Sequence, residues 1–262
     1  MQFSYLSHFS SISIALVLFG LMVIVHWLGA WLSAHPRSKR LVDRFGPIEG
    51  SLLGLLALLL AFTFSMSASR FDARRQVLVD EANAIGTAIL RADLYPDQDR
   101  QLFRADFREY VEARIGFHDA GFDEERVNAT TSQSERISST IWQRTAKIAQ
   151  NRDSLIPSNN MVPAVNRMID LVTTRNTMRQ ATVPDSILWT LFLLCLVSSF
   201  IVGVSIKKDV EMSWPVSLIF AFMISACVFL IIDLDRPSHG VITLDEASKA
   251  FIDLRGLLAD HR

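Results

Sequence analysis

The chain has 262 residues, half of them hydrophobic, with 26 Lys and Arg against 27 Asp and Glu and a formal net charge of −1. A near-neutral balance supplies no field for nucleic acid or an acidic polymer, so nucleic acid is not an expected partner. The two cysteines, Cys195 and Cys227, both fall inside apolar runs; they read as small apolar helix residues, not as a disulfide framework or a zinc site.

Four apolar runs organise the sequence: Ile12–Leu32, Ile48–Ala68, Ser186–Ile206 and Trp214–Ile232. Each is long enough to carry a helix across a hydrocarbon core of ~30 Å at ~1.5 Å per residue. The first has no Lys or Arg before it and is longer than the apolar part of a secretory leader, so it reads as a retained span. Pro36 closes it. A short basic link follows, with Arg37, Lys39, Arg40 and Arg44 against Asp43. Gly46-Pro47 is expected to open the second run.

The second run meets no breaker after Ser69, so its helix is expected to leave the membrane as one rod to about Leu94, ~70 Å in all. Tyr95-Pro96-Asp97 stops it. A helix is predicted over Arg100–Phe117, with Phe103, Phe107, Tyr110 and Val111 at helical spacing. Another is predicted over Asp123–Ala149, broken near Asn128-Ala129-Thr130-Thr131. The first three of those residues also spell a glycosylation acceptor, a tripeptide common by chance. Pro157-Ser158-Asn159-Asn160 reads as a loop, and Val162–Arg179 as a further helix. Pro184 starts the return to the membrane. The second short link holds Lys207 and Lys208 against Asp209 and Glu211.

The expected fold is therefore all-α. A transmembrane hairpin over 1–68 and a second over 186–233 flank an extramembrane helical domain over 69–185, and a tail covers 234–262. Both short links lie on one side of the membrane. By the positive-inside rule that side is cytoplasmic. The chain is then a multi-pass protein of the cell inner membrane with its domain extracytoplasmic; Arg70, Arg74 and Arg75, just past the second run, argue the other way.

Three groups of residues stand out as candidate sites. On the second span, Thr63 and Ser67 share a face with Arg70 and Arg74, and Glu49 lies near the other end. Such a face can pack a neighbouring helix, or line a path that the arginines bias toward anions. At the domain-side exits, Arg70, Arg74 and Arg75 emerge on the same side as Asp233, Asp235 and Arg236, which suggests a salt-bridged collar. On the rod, Asp80, Glu81 and Asn83 sit among small residues, as solvated surface, as contacts between helices or subunits, or as an ion site in which Glu81 converges from several copies. His26 lies inside the first span beside Trp27, and a packing role is expected for it.

No catalytic constellation, cofactor motif or metal-ligand spacing is found, so no enzyme activity, cofactor or metal is expected. The partners expected are membrane lipid, further copies of the chain and small inorganic ions.

Three segments resemble the bestrophin-like DUF4239 family of bacterial membrane proteins: Gly54–Ala88, with its DEANAIGTA stretch; Glu211–Pro215, EMSWP; and Phe229–Ile242, FLIIDLDRPSHGVI. The order of hairpin, helical domain, hairpin and LDRP-type exit matches as well. The resemblance implies distant similarity to bestrophins, pentameric anion channels with four membrane helices per subunit. Gly54–Ser69 would then correspond to a pore-lining helix. The reading is an oligomeric, anion-leaning ion channel. Its alternative is a non-conducting envelope scaffold or sensor.

Overall fold

A computed structural model describes residues 9–33, 39–119, 124–205, 213–236 and 245–259. Lys207, Lys208, Asp209 and Glu211 of the second link and Arg37 of the first fall outside them. Among the described residues all regular structure is helical, in eight α-helices: α1 (Ser11–Ser33), α2 (Lys39–Ala92), α3 (Asp97–Asp119), α4 (Glu124–Ala149), α5 (Leu155–Gln180), α6 (Asp185–Ser205), α7 (Ser213–Asp235) and α8 (Asp245–Leu258). Four of them, α1, α2 from Ile48 onward, α6 and α7, are long and apolar enough to cross a membrane.

The chain divides into two units, Met1–Phe71 with Thr182–Ile242, and Asp72–Ala181 with Thr243–Arg262. The first unit holds α1, α6, α7 and the N-terminal part of α2. Its core gathers Leu18 and Met22 of α1, Leu56 of α2, Leu191 and Cys195 of α6, and Val228 and Ile231 of α7. Leu16, Val17, Leu58, Phe62, Leu193, Ile219 and Phe222 are exposed, as helices solvated by lipid allow. The crossing of α1 and α6 is set by two glycines. A Cβ at Gly203 would collide with the His26 carbonyl, and one at Gly29 with the Phe200 carbonyl. Both obstacles are backbone, so only glycine permits this approach. The closeness lets Ser199 Oγ donate to the Met22 carbonyl at 2.8 Å and His26 Nδ1 to the Ser199 carbonyl at 3.3 Å. His26 is thus a buried packing residue, as expected.

The second unit packs the C-terminal part of α2 against α3, α4, α5 and α8. Ile85 and Ile89 of α2 meet Phe103, Phe107 and Val111 of α3, Ile141 of α4, and Val165 and Met168 of α5. The tail expected over 234–262 contains α8, and its Phe251, Leu254 and Leu258 join this core. Arg255 of α8 also forms a two-pronged pair with Glu112 of α3, both contacts at 2.7 Å.

Three expectations change. α2 begins at Lys39, before Gly46-Pro47. α4 runs unbroken through Asn128–Thr131, because Thr130 and Thr131 hydroxyls bond back to carbonyls one turn earlier instead of competing with the helix. The stretch Pro157–Asn160 is helical, not a loop. Pro157 falls in the first turn of α5, where no N–H is needed for an intrahelical bond, so its ring costs nothing there.

Candidate functional site

Within the first unit α2 is the least covered of the apolar helices. The side chains left exposed on it include Ser51, Leu55, Leu58, Phe62, Ser65 and Ser69, spaced by three, four and seven residues along one broad face together with Gly54 and Ala61. Thr63 and Ser67 are turned the other way and buried in the unit. Thr63 Oγ1 bonds the carbonyls of Leu59 at 2.8 Å and Leu60 at 3.1 Å, while Ser67 Oγ is buried without a partner. Toward the domain end of the span the exposed hydroxyls are therefore Ser65 and Ser69. Glu49 and Arg70 are partly exposed. Arg70 Nη2 lies 3.9 Å from the Met66 sulfur, and its Nη1 is buried with no acceptor.

Arg74 is buried in the second unit. It donates through Nε to the Met178 carbonyl at 3.2 Å and through Nη2 to the Ala181 carbonyl at 2.6 Å, satisfying carbonyls at and just beyond the end of α5. Arg75 is exposed. In the first unit Asp233, Asp235 and Arg236 are buried, and the Asp235 carboxylate accepts the Val183 N–H at 3.1 and 2.9 Å. That bond ties the segment before α6 to the end of α7.

The densest polar cluster lies in the second unit. Glu81 of α2 is fully buried. Its Oε1 accepts from Arg114 Nε of α3 at 2.8 Å, and its Oε2 from Arg175 Nη1 of α5 at 3.4 Å. The Phe117 ring lies 5.0 Å from the Arg114 guanidinium, 4.6 Å from that of Arg175 and 5.9 Å from that of Arg179. The Phe251 ring of α8 lies 5.7 Å from Arg114. Two guanidiniums against one carboxylate leave one net positive charge in a low-dielectric setting, spread over aromatic faces. Glu81, expected as solvated surface, as a contact between helices or subunits, or as an ion site, is a buried contact between helices of this unit. Asp80 is half-buried and accepts from Gln76 Nε2 at 2.9 Å, and Asn83 is exposed.

A family model for the Bestrophin-like domain matches residues 16–248, nearly the whole chain. The chain belongs to the bestrophin-like family. The fold of this bestrophin-like protein is shared with the crystal structure of a bacterial bestrophin homologue from Klebsiella pneumoniae. The two align with a TM-score of 0.69 at 15% identity, over 96% of this chain and 100% of that one. A point variant of that homologue gives 0.67 at 14% identity, over 95% and 99%. At this identity the likeness speaks for the fold alone. No functionally curated protein matches the sequence.

Sequence reasoning placed Glu81 on the map but missed Arg114, Arg175 and Phe117. The signal was there. Arg114 continues the stripe Phe107, Tyr110, Val111, and Arg175 continues Val165, Met168, Val172, each at the next helical step. An arginine on the apolar face of each of two helices, and a glutamate on that of a third, predicts a buried network.

Proposed function

We propose that this bestrophin-like protein is a homo-oligomeric membrane protein that conducts small ions, with a preference for anions, along a path lined by the exposed face of α2. The observation that carries the reading is that α2, the least covered apolar helix, leaves Ser51, Gly54, Ala61, Ser65 and Ser69 open on one subunit. Small and hydroxylated side chains suit a sibling helix or a hydrated path better than lipid. Family membership supports conduction, since bestrophins are pentameric anion channels. Glu49 and Arg70, both partly exposed near the two ends of the span, lie by spacing on the Thr63 and Ser67 side of α2, and the buried N–H of Arg70 without an acceptor favours an anion at the domain-side end. Purified protein in planar bilayers should pass a chloride current and run as one discrete oligomer in mild detergent. A silent bilayer from a correctly assembled oligomer removes conduction, and a monomer in both detergent and lipid removes the path itself.

The same reading places the helical domain outside the cytoplasm of the inner membrane, on the strength of the basic short links. Asn166 is exposed in the second unit. An Asn166→Cys variant in intact cells, with the outer membrane made permeable, should react with a membrane-impermeant maleimide. Labelling only after the inner membrane is breached reverses the orientation.

A further inference from the structure

A cavity of about 320 Å³ opens in the second unit between α3, α4 and α5. Arg114 and Arg175 form part of its wall. Both side chains are more than nine-tenths buried, and each carries an N–H with no acceptor: Nη2 of Arg114 and Nε of Arg175. Glu81 pairs with other nitrogens of the two guanidiniums, at Nε of Arg114 and Nη1 of Arg175, and these two are left over. A second Arg175 nitrogen, Nη2, donates to Asn176 Oδ1 at 3.1 Å, and Asn176 also lines the cavity. A buried charged donor left without an acceptor costs more than a neutral one. The unit therefore holds positive charge and unused donors beside an open space.

The rest of the lining narrows the chemistry. Ser134, Ser138, Ser139 and Thr173 add hydroxyls. Trp142, Ile169 and Val172 add apolar surface. Tyr110 contributes a phenol that burial pushes above its ordinary range, so it stays neutral. Glu135 is the acid among the lining residues, and it is exposed to solvent. A halide would meet the donors but leave most of the space and the apolar surface unused. At ~30 Å³ per water the cavity has room for about ten heavy atoms. Charge-assisted bonds from a guanidinium fork suit a carboxylate, and the apolar residues suit a compact hydrocarbon body.

We propose that this cavity binds a small organic carboxylate, its oxygens taken by the unused N–H groups of Arg114 and Arg175 and its apolar body packed against Trp142, Ile169 and Val172. The proposal stands whether or not the protein passes ions. It would make the helical domain a receptor for an organic acid.

The test uses the full-length protein in detergent, titrated calorimetrically with sodium benzoate, with benzamide as the neutral isostere and sodium sulfate as the inorganic anion. Benzoate should bind saturably at millimolar concentrations or below, and benzamide at least tenfold more weakly, a difference of ~1.4 kcal/mol. Ser138→Phe, which fills the cavity without touching the Glu81 pairs, should weaken benzoate at least tenfold while the thermal midpoint holds. Arg175→Lys, which keeps the charge but loses the fork, should weaken it as well. Equal binding of benzoate and benzamide overturns the carboxylate assignment. Saturable sulfate without benzoate overturns the organic ligand. Benzoate binding undiminished in folded Ser138→Phe, or no saturable binding by any of the three, overturns the site.

Discussion

Arg114→Met will destabilise the helical unit by ~3–5 kcal/mol, the cost of leaving a buried charge without its closest partner. The geometry explains why the effect is large. Arg114 is almost completely buried, its Nε is 2.8 Å from a fully buried Glu81, and its guanidinium is sandwiched near Phe117 and Phe251. Removing it strips Glu81 of its shorter contact and leaves the 3.4 Å pair with Arg175 to hold the carboxylate. The effect is therefore not that of an exposed ion pair, worth ~0–1 kcal/mol. The informative control is the triple variant Glu81→Leu, Arg114→Met, Arg175→Met. Replacing all three charges with apolar groups of similar bulk removes the desolvation cost together with the attraction, so most of the loss should be recovered. Chemical denaturation of the purified protein, followed by far-UV circular dichroism, gives both numbers. A single variant as stable as the parent would mean that Glu81 is adequately held by Arg175 alone. A triple variant no better than the single one would assign the loss to packing of the Arg114 stem against its aromatic neighbours, not to charge.

The same cluster shows where the sequence was readable and where it was not. Apolar run length is a property of contiguous residues, so the four spans and the all-helical class follow from the chain order, as does the uninterrupted α2 beyond Ser69. What the string conceals is azimuth. Thr63 and Ser67 lie on one face with Arg70 and Arg74 by spacing, but spacing does not say whether that face turns toward α1, α6 and α7 or away from them. Thr63 and Ser67 turn inward, and the open hydroxyls are Ser65 and Ser69. Long-range pairing is likewise hidden: Glu81 meets Arg114 and Arg175 across sequence separations of 33 and 94 residues. Nor does the short, mixed segment of α8 stand out by length or hydropathy, although three of its side chains complete a core. Proline misled in the opposite direction. Pro157 marks a helix start, and the residues after it belong to the first turns of α5.

Azimuth is also what makes conduction testable residue by residue. If the exposed face of α2 lines a path, Ser65→Cys and Ser69→Cys in the assembled protein should react with a negatively charged thiosulfonate from the aqueous side. Ser67→Cys, facing the interior of its own subunit, should not. An anionic adduct beside a path for anions adds like-charge repulsion in a narrow space of low effective dielectric, where ~4 kcal/mol is available at 4 Å for an effective ε of 20. Only ~1.4 kcal/mol is needed for a tenfold change, so chloride current should fall at least tenfold on modification and recover when a reducing agent removes the adduct. The cationic reagent at the same cysteines should cut the current less, because its charge attracts the permeant ion while its bulk still obstructs. Native Cys195 is buried but Cys227 is exposed on α7, so the background must carry Cys227→Ser. Phe62 supplies the opposite perturbation. It is 66% exposed on one subunit, on the same face as Ser65 and Ser69, and is the bulkiest residue of that stripe. Phe62→Ala should raise single-channel conductance if the ring narrows the path. If Ser65→Cys and Ser69→Cys are inert while Ser67→Cys is modified with loss of current, the path runs along the other side of α2. If none of the three is modified in an oligomer that conducts, α2 is a packing helix and the ions travel elsewhere.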